Sequence, residues 1–359
     1  MYSAFKNIQV NIYGESHAPE IGVNLLGIPK SISISEEEVQ KLVDRRKASN
    51  NAWSTRRNEE DKVEILSGIE NGITDGKEIH ARILNSDIRS KDYESIKNMP
   101  RPSHADYSAY LKNNSPVPIP GSGKYSGRMT AALCIAGSIA KQILEKEGIK
   151  VYAYVSSIAG IKAKGYMDGD ISKENLEKSQ AYSIYNIESQ EKADIWTKAI
   201  MVAKEDGNSV GGVIECVVLN MKKGVGDALF EGLEGRISQS VYAIPAVKGV
   251  EFGAGFDMTT KFGSEVNDQF TITDGKVALL SNNAGGINGG ISNGEPILLR
   301  VAFRPTPSIS KTQQSVDLKT NEIKEINIQG RHDACIVPRA VPVVESAVAL
   351  ALLDAIMDK

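Results

Sequence analysis

Apolar positions recur at helical spacing in three stretches of the chain. Ser35-Glu36-Glu37-Glu38 has the spacing of a capping box, and Val39, Leu42 and Val43 follow it on one face. This predicts a helix over 36–47 with Arg45 and Arg46 near its end. A second helix is predicted over 128–147, where Leu133, Ile135, Ala136, Ile139, Ala140, Ile143 and Leu144 form a broad apolar face and Gly148 supplies a stop. A third opens at Pro338 and Pro342 and runs to the C-terminus, with Val344, Val348, Leu352 and Ile356 as its stripe. Each stripe is read as core packing. Strands are predicted at 63–66, 78–83, 151–155, 212–219 and 297–303. Helices and strands are thus mixed throughout, no repeat is visible, and no shift of composition marks a linker. The chain is read as one domain over 1–359, with the charged, tyrosine-containing stretch 162–194 as a peripheral variable segment.

Composition narrows the classes of function. A chain of 359 residues, 41% hydrophobic and 24% charged, has the length and balance to bury a large core. Its formal net charge of -3 provides no bulk attraction to nucleic acid or to an anionic membrane, so an anionic ligand has to be held by a local basic cluster. Cys134, Cys216 and Cys335 are far apart and form no Cys-x-x-Cys pair, which argues against a metal site or a disulfide framework and for buried apolar thiols. Met1–Val10 lacks the uninterrupted apolar run of a secretory signal, and Val341–Met357 is too broken by polar residues for a membrane span, so a cytoplasmic location is expected.

The chemistry gathers around a few turns. Of four histidines, His17, His104 and His332 lie in polar or Gly-rich turns beside Arg, Asp, Glu or Ser, whereas His80 sits in an alternating strand pattern and is read as structural. Basic residues cluster near the same segments: Arg45 and Arg46, Arg56 and Arg57, Arg101, Lys124, Arg128, Arg304, Arg331 and Arg339. Arginine beside Pro or Gly is well placed to fork onto carboxylate or phosphate oxygens. The loop Asn282–Gly290 and the segment Arg304-Pro305-Thr306-Pro307-Ser308 present further backbone to an anion. Neither matches a Walker A loop or a dinucleotide fingerprint.

In this order the motifs resemble the chorismate synthase family over nearly the whole chain. Gly14-Glu15-Ser16-His17, Arg101-Pro102-Ser103-His104-Ala105-Asp106, Asn283-Ala284-Gly285-Gly286-Ile287 with Gly289-Gly290-Ile291-Ser292, and Gly330-Arg331-His332-Asp333 followed by Pro338-Arg339-Ala340-Val341-Pro342 carry the resemblance. It implies an α+β fold in which central helices lie between two antiparallel sheets, a layered β-α-β sandwich, assembled as a homotetramer. The implied activity is a lyase: anti 1,4-elimination of phosphate from 5-enolpyruvylshikimate 3-phosphate to give chorismate, the last common step to the aromatic amino acids. Reduced FMN is the implied cofactor and carries the hard step by lending electron density. NADPH enters only as a source of reducing equivalents, delivered by the chain itself or by a separate flavin reductase.

The resemblance also implies residue roles. His104 is the acid beside the departing phosphate, where a dianion favours the protonated imidazole. His17 lies near flavin N1, and Asp333 relays the proton from N5, with Ser16 and Ser126 as supporting hydroxyls. Arg46, Arg101, Arg128 and Arg331 meet the substrate's anions. Lys124, Tyr125, Ser126, Pro245, Ala246, Gly289, Arg304, Pro305, Thr306, Pro307, Ser308 and Arg331 face the cofactor, and no metal is called for. The family's usual glycines stand here as Ala18 and Ser103, its Gly-rich arginine loop reads Gly121-Ser122-Gly123-Lys124-Tyr125-Ser126-Gly127-Arg128-Met129, its Arg-Arg-Arg-Pro-Gly reads Arg45-Arg46-Lys47-Ala48-Ser49, a nearby arginine is Ala52, and its Lys-Pro-Thr is Arg304-Pro305-Thr306. Two other readings stay open from the residues: a phosphatase using histidine with an arginine cluster, and a catalytically silent flavin or phosphometabolite binder.

Overall fold

The structure is a computed structural model that describes residues 5–47, 60–86, 96–169, 171–179, 190–328 and 333–358. Local signals in the sequence are realised at the helix ends. Ser35 accepts the Glu38 amide at 3.2 Å and starts α1 (Glu36–Arg46), with three glutamates in the first turn and two arginines in the last, the order the helix dipole favours. After α2 (Asp106–Asn113), a tight turn over Gly127–Met129 leads into α3 (Thr130–Lys146). Then come α4 (Lys173–Ser179), α5 (Gln190–Glu205), α6 (Leu233–Tyr242), the short α7 (Gly263–Val266) and α8 (Val337–Ile356).

Two antiparallel sheets enclose the central helices. The first has the order β1-β2-β6-β3, from β1 (Gln9–Gly14), β2 (Glu20–Leu26), β3 (Val63–Ser67) and β6 (Ile79–Leu84); a small hairpin, β4 (Ile69–Glu70) and β5 (Ile73–Thr74), lies between its last two strands in sequence. The second has the order β10-β15-β9-β7-β8, from β7 (Lys150–Ile158), β8 (Ile161–Lys162), β9 (Gly212–Leu219), β10 (Val247–Phe252) and β15 (Ile297–Phe303). Three hairpins complete the strands: β11 (Phe270–Thr273) with β12 (Lys276–Leu279), β13 (Ile287–Asn288) with β14 (Ile291–Ser292), and β16 (Gln313–Asp317) with β17 (Glu322–Ile326). Helix α3 packs on β2 and β6, α8 packs on β7 and β9, and α1 and α6 flank them. The fold is therefore α+β with a β-α-β layering.

The expected stripe on the last helix is wider than the sequence pattern suggested. Nearly every residue of α8 from Val337 to Ala355 is buried, including Glu345, Ser346 and Asp354, because sheet, α3 and α6 meet it on different sides. A helix that is apolar all round belongs in an interior. Its approach to α3 is close: a Cβ on Gly137 would lie 2.1 Å from the Ser346 Cβ, so glycine sets the crossing. No helix among the described residues is long and apolar enough to cross a membrane.

One buried ion network ties the layers together. Glu345 accepts both ends of the Arg45 fork at 2.9 and 2.8 Å, the Lys141 ammonium at 2.8 Å and the Ala153 amide at 3.2 Å. It thereby joins α8 to α1, α3 and β7. Burial would raise its carboxyl, but the charges of Arg45 and Lys141 outweigh burial and bring it down to about 2. On the outer face of the second sheet, Ile171 and Leu176 pack with Tyr152, Tyr154, Val217, Leu219 and Leu298. There the buried Glu215 accepts the Tyr166 amide at 2.8 Å and the Tyr154 hydroxyl, and burial pushes its carboxyl up. All three cysteines are buried.

Candidate active site

The turn 101–106 is closed by its own ends. Asp106 accepts the Arg101 Nε at 2.7 Å, its Nη2 at 2.8 Å and its backbone amide at 3.0 Å. Burial opposes ionisation of Asp106, but the hydrogen bond and charge of Arg101 hold its carboxyl below the usual range. Ser103 takes a φ of 58°, a left-handed bend that favours glycine. The bend turns His104 back, with its amide on the Arg101 carbonyl at 3.1 Å. Its ring meets another segment: Nε2 lies 3.0 Å from the Ser308 hydroxyl. Beside it the Arg304 Nη2 donates to the Ser103 carbonyl at 2.6 Å. Two stretches two hundred residues apart are thus joined side by side. A cavity of about 390 Å³, lined in part by Pro102, Ser103, His104, Tyr107, Gln314 and Val316, opens here and is of small-molecule size.

The second histidine turn reaches the first through a loop. Gly121, Ser122 and Gly123 all have positive φ, and the loop they form presses on Ser16 and His17. Ser16 is fully buried, its hydroxyl donates to the Gly121 carbonyl at 2.6 Å, and its amide donates to the Gly123 carbonyl at 3.3 Å. A Cβ on Gly121 would stand 2.3 Å from the Ser16 Oγ and 2.5 Å from the His17 Nε2, so only glycine fits against both. The same loop is held from the other side. Arg101 Nη2 donates to the Ile119 carbonyl, and the Ile119 amide donates to Asp106, both at 3.1 Å.

A buried basic cluster completes the junction. The guanidinium of Arg128 pairs with Asp61 and donates from Nε to Asn85 at 3.0 Å, while Asn85 donates to the carbonyls of Glu15 and Ala18 at 3.2 and 2.7 Å. Asn85 therefore couples the His17 turn to Arg128. Arg46 lies 3.6 Å from Asp61 and donates to the Gly127 carbonyl at 2.8 Å and the Thr130 hydroxyl at 3.1 Å. Arg339 donates to the Arg46 carbonyl at 3.1 Å and pairs with Asp333. Burial and the charge of Arg339 lower Arg46 to about 10, Asp61 opposing. Three guanidiniums face two carboxylates here, which leaves a site biased towards a further anion.

The chain as a whole is similar to proteins already known. The family model described as chorismate synthase matches residues 8–357. A chorismate synthase of Korarchaeum cryptofilum is 43% identical over 355 residues, covering 98% of this chain and 96% of its own. One of Pyrococcus abyssi is 43% identical over 347 residues, covering 97% and 95%. A solved structure titled as a crystal structure of chorismate synthase superposes with a TM-score of 0.76 at 30% identity, covering 98% of this chain and 92% of the other. The chain belongs to the chorismate synthase family.

As a chorismate synthase-family lyase, the chain carries most of its expected site segments at one junction, where α1 ends and α3 and α8 begin. His17, Ser16, Arg46, Arg101, His104, Arg128, Asp333, Arg304 and Ser308 are linked through the bonds above. Ser126 caps the turn before α3, accepting the Arg128 amide at 3.2 Å, and Lys124 lies over the Tyr125 ring, 5.5 Å from its centroid. Ala246 accepts the Arg304 amide at 3.0 Å, and Pro245 beside it is exposed. Gly289 is exposed in a hairpin whose next residue, Gly290, is bonded to Leu233. Arg331 and His332 lie outside the described residues, as do Ala48, Ser49, Ala52, Arg56 and Arg57. His80 bonds to the Tyr13 hydroxyl at 2.8 Å within the first sheet. The glycine-rich loop 282–290 has an internal anion: Asp268 accepts the amides of Asn283 and Ala284 at 2.7 and 2.8 Å. The sequence reading missed Asp61, Asn85 and Asp106 as site residues. Only the last stood inside a family motif.

Proposed function

We propose that this lyase carries out its conversion of 5-enolpyruvylshikimate 3-phosphate to chorismate and phosphate with reduced FMN, at the junction of the two histidine turns. The observation that carries the reading is the shared 119–123 loop, which touches Ser16 and His17 on one side and is bonded to Arg101 and Asp106 on the other. The 304–308 segment supports the flavin. Thr306 Oγ1 is buried without a hydrogen-bond partner among the described residues, and Arg304 and Lys124 supply positive charge. When bound, reduced flavin supplies the transient electron density that a poorly acidic allylic C–H and a poorly leaving phosphate require.

The chain's own residues then have distinct tasks. His104, protonated, neutralises charge on the departing phosphate, and His17 would help hold the flavin by a hydrogen bond. Asp333, oriented by Arg339, would accept the proton released in the elimination. Arg46, Arg128 and Arg339 draw in the substrate's carboxylates and phosphate, with Arg331 in the same group. The Arg101 fork lies on Asp106, so Arg101 acts through its field and by fixing the His104 turn. Ser126 holds the approach to Arg128, and Tyr125, Pro245, Ala246, Gly289, Pro305 and Pro307 frame the cofactor. We place the whole chain in one such domain, consistent with one main core and a family match over 8–357, and its assembly as a homotetramer in the cytoplasm belongs to the same proposal. What supports assembly is the apolar hairpin β11–β12, which leaves Phe270, Ile272 and Val277 exposed, with exposed Leu280 just after it. NADPH and a separate flavin reductase remain sources of reducing equivalents outside the site described.

Anaerobic incubation with the enolpyruvyl substrate tests the reading. Chorismate absorbance is expected with reduced FMN and not with oxidised FMN or none; equal formation under all three conditions would exclude the flavin. Gly121→Ala should weaken reduced-FMN affinity by roughly tenfold or more, because its Cβ displaces both Ser16 and His17. A flavin titration with unchanged affinity would detach the loop from the cofactor.

A further inference from the structure

We propose that Ser308 is the positioning residue for His104, holding the imidazole by its Nε2 and tying it to the segment that faces the cofactor. This rests on the functional reading above and adds to it, since that reading gives Ser308 to the cofactor. The Ser308 side chain has a protein partner. It is 4% exposed and its hydroxyl is 3.0 Å from the His104 ring.

Both partners are on rigid supports. The His104 backbone is fixed by the Arg101–Asp106 clamp within its own turn. The 304–308 segment is anchored at Ala246 through the Arg304 amide, at Ser209, whose hydroxyl donates to the Thr306 carbonyl at 2.6 Å, and at Ser103 through the Arg304 guanidinium. With the main chains held, the hydroxyl bond restrains the rotation of the imidazole. It also engages Nε2 inside the protein. A protonated ring donates Nε2–H to Oγ, and a ring neutral at Nε2 accepts from the hydroxyl, so the bond can orient the imidazole in either charge state. No new proton path is required; the hydroxyl orients.

The test compares Ser308→Ala with Ser308→Thr, which keeps the hydroxyl. The chain has four histidines, so histidine labelled with nitrogen-15 gives few imidazole signals, assigned with His104→Gln. In protein without flavin or substrate, Ser308→Ala should alter the tautomer-dependent nitrogen-15 shifts of the His104 ring. In the full reaction it should lower kcat by roughly tenfold and change flavin affinity by less than about twofold. Ser308→Thr should restore all of these. If alanine disturbs the fold, Ser308→Cys, which keeps the side chain's volume but hydrogen-bonds weakly, should give the same shifts. Unchanged His104 signals, or a loss of flavin affinity with kcat retained at saturating flavin, would overturn the proposal. The imidazole signals are read without ligands, so their outcome stands apart from whether chorismate is the product.

Discussion

Replacing His104 with alanine should lower kcat by about 10²–10⁴-fold, the range of a lost general acid, while changing the affinity for reduced FMN by less than about threefold. The ring lies beside the 304–308 segment but bonds there through a single hydroxyl, and Arg304 reaches the turn through the Ser103 carbonyl, which alanine at 104 leaves in place. The Arg101–Asp106 clamp also stays, so the turn should keep its shape. Steady-state rates with saturating flavin, set against a flavin titration, separate the two effects. A loss of flavin binding as large as the loss of turnover would make His104 a cofactor residue instead of an acid.

Glu345→Ala should destabilise the fold by about 3–5 kcal/mol, read from denaturant unfolding, because buried Arg45 and Lys141 would both lose the carboxylate they share. The pH dependence follows from the same network. Folding brings the Glu345 carboxyl down to about 2 from an unfolded value near 4.3, so its contribution is complete above roughly pH 4.3 and is lost as pH falls towards 2. The unmodified chain should therefore lose stability steeply across that window, and the alanine variant should lose less across it. A difference below about 1 kcal/mol at neutral pH would mean that water or rearrangement compensates the two cations.

Much of the architecture was legible along the chain. The strands 212–219 and 297–303 fall where their β-branched runs predict, and α1 ends one residue before its predicted bound. The first two strands were not foreseen. Asn11, Tyr13, Glu20 and Asn24 alternate with the core-facing residues and dilute their apolar signal, although Val23 and Ala81, paired across β2 and β6, both face the core.

The site was legible as motifs and illegible as a network. Arg45 and Arg46 read as one basic pair, yet successive helix positions point about 100° apart, so Arg45 serves the Glu345 core and Arg46 the junction. Asp61 follows Glu59 and Glu60 and precedes Lys62, a run that looks like a solvated turn; its partners Arg46 and Arg128 are distant in sequence. Likewise the 282–290 loop showed its glycines but not Asp268, which takes its amides. Long-range charge pairing leaves no periodic trace in a single sequence.

The most direct measurement of the central claim is the stoichiometry of an anaerobic time course with enolpyruvyl substrate and reduced FMN. One phosphate should appear for each chorismate, with the same rate constant, because a single elimination releases both. Phosphate released in excess of chorismate, or without it, would contradict a lyase at this junction and restore the phosphatase reading.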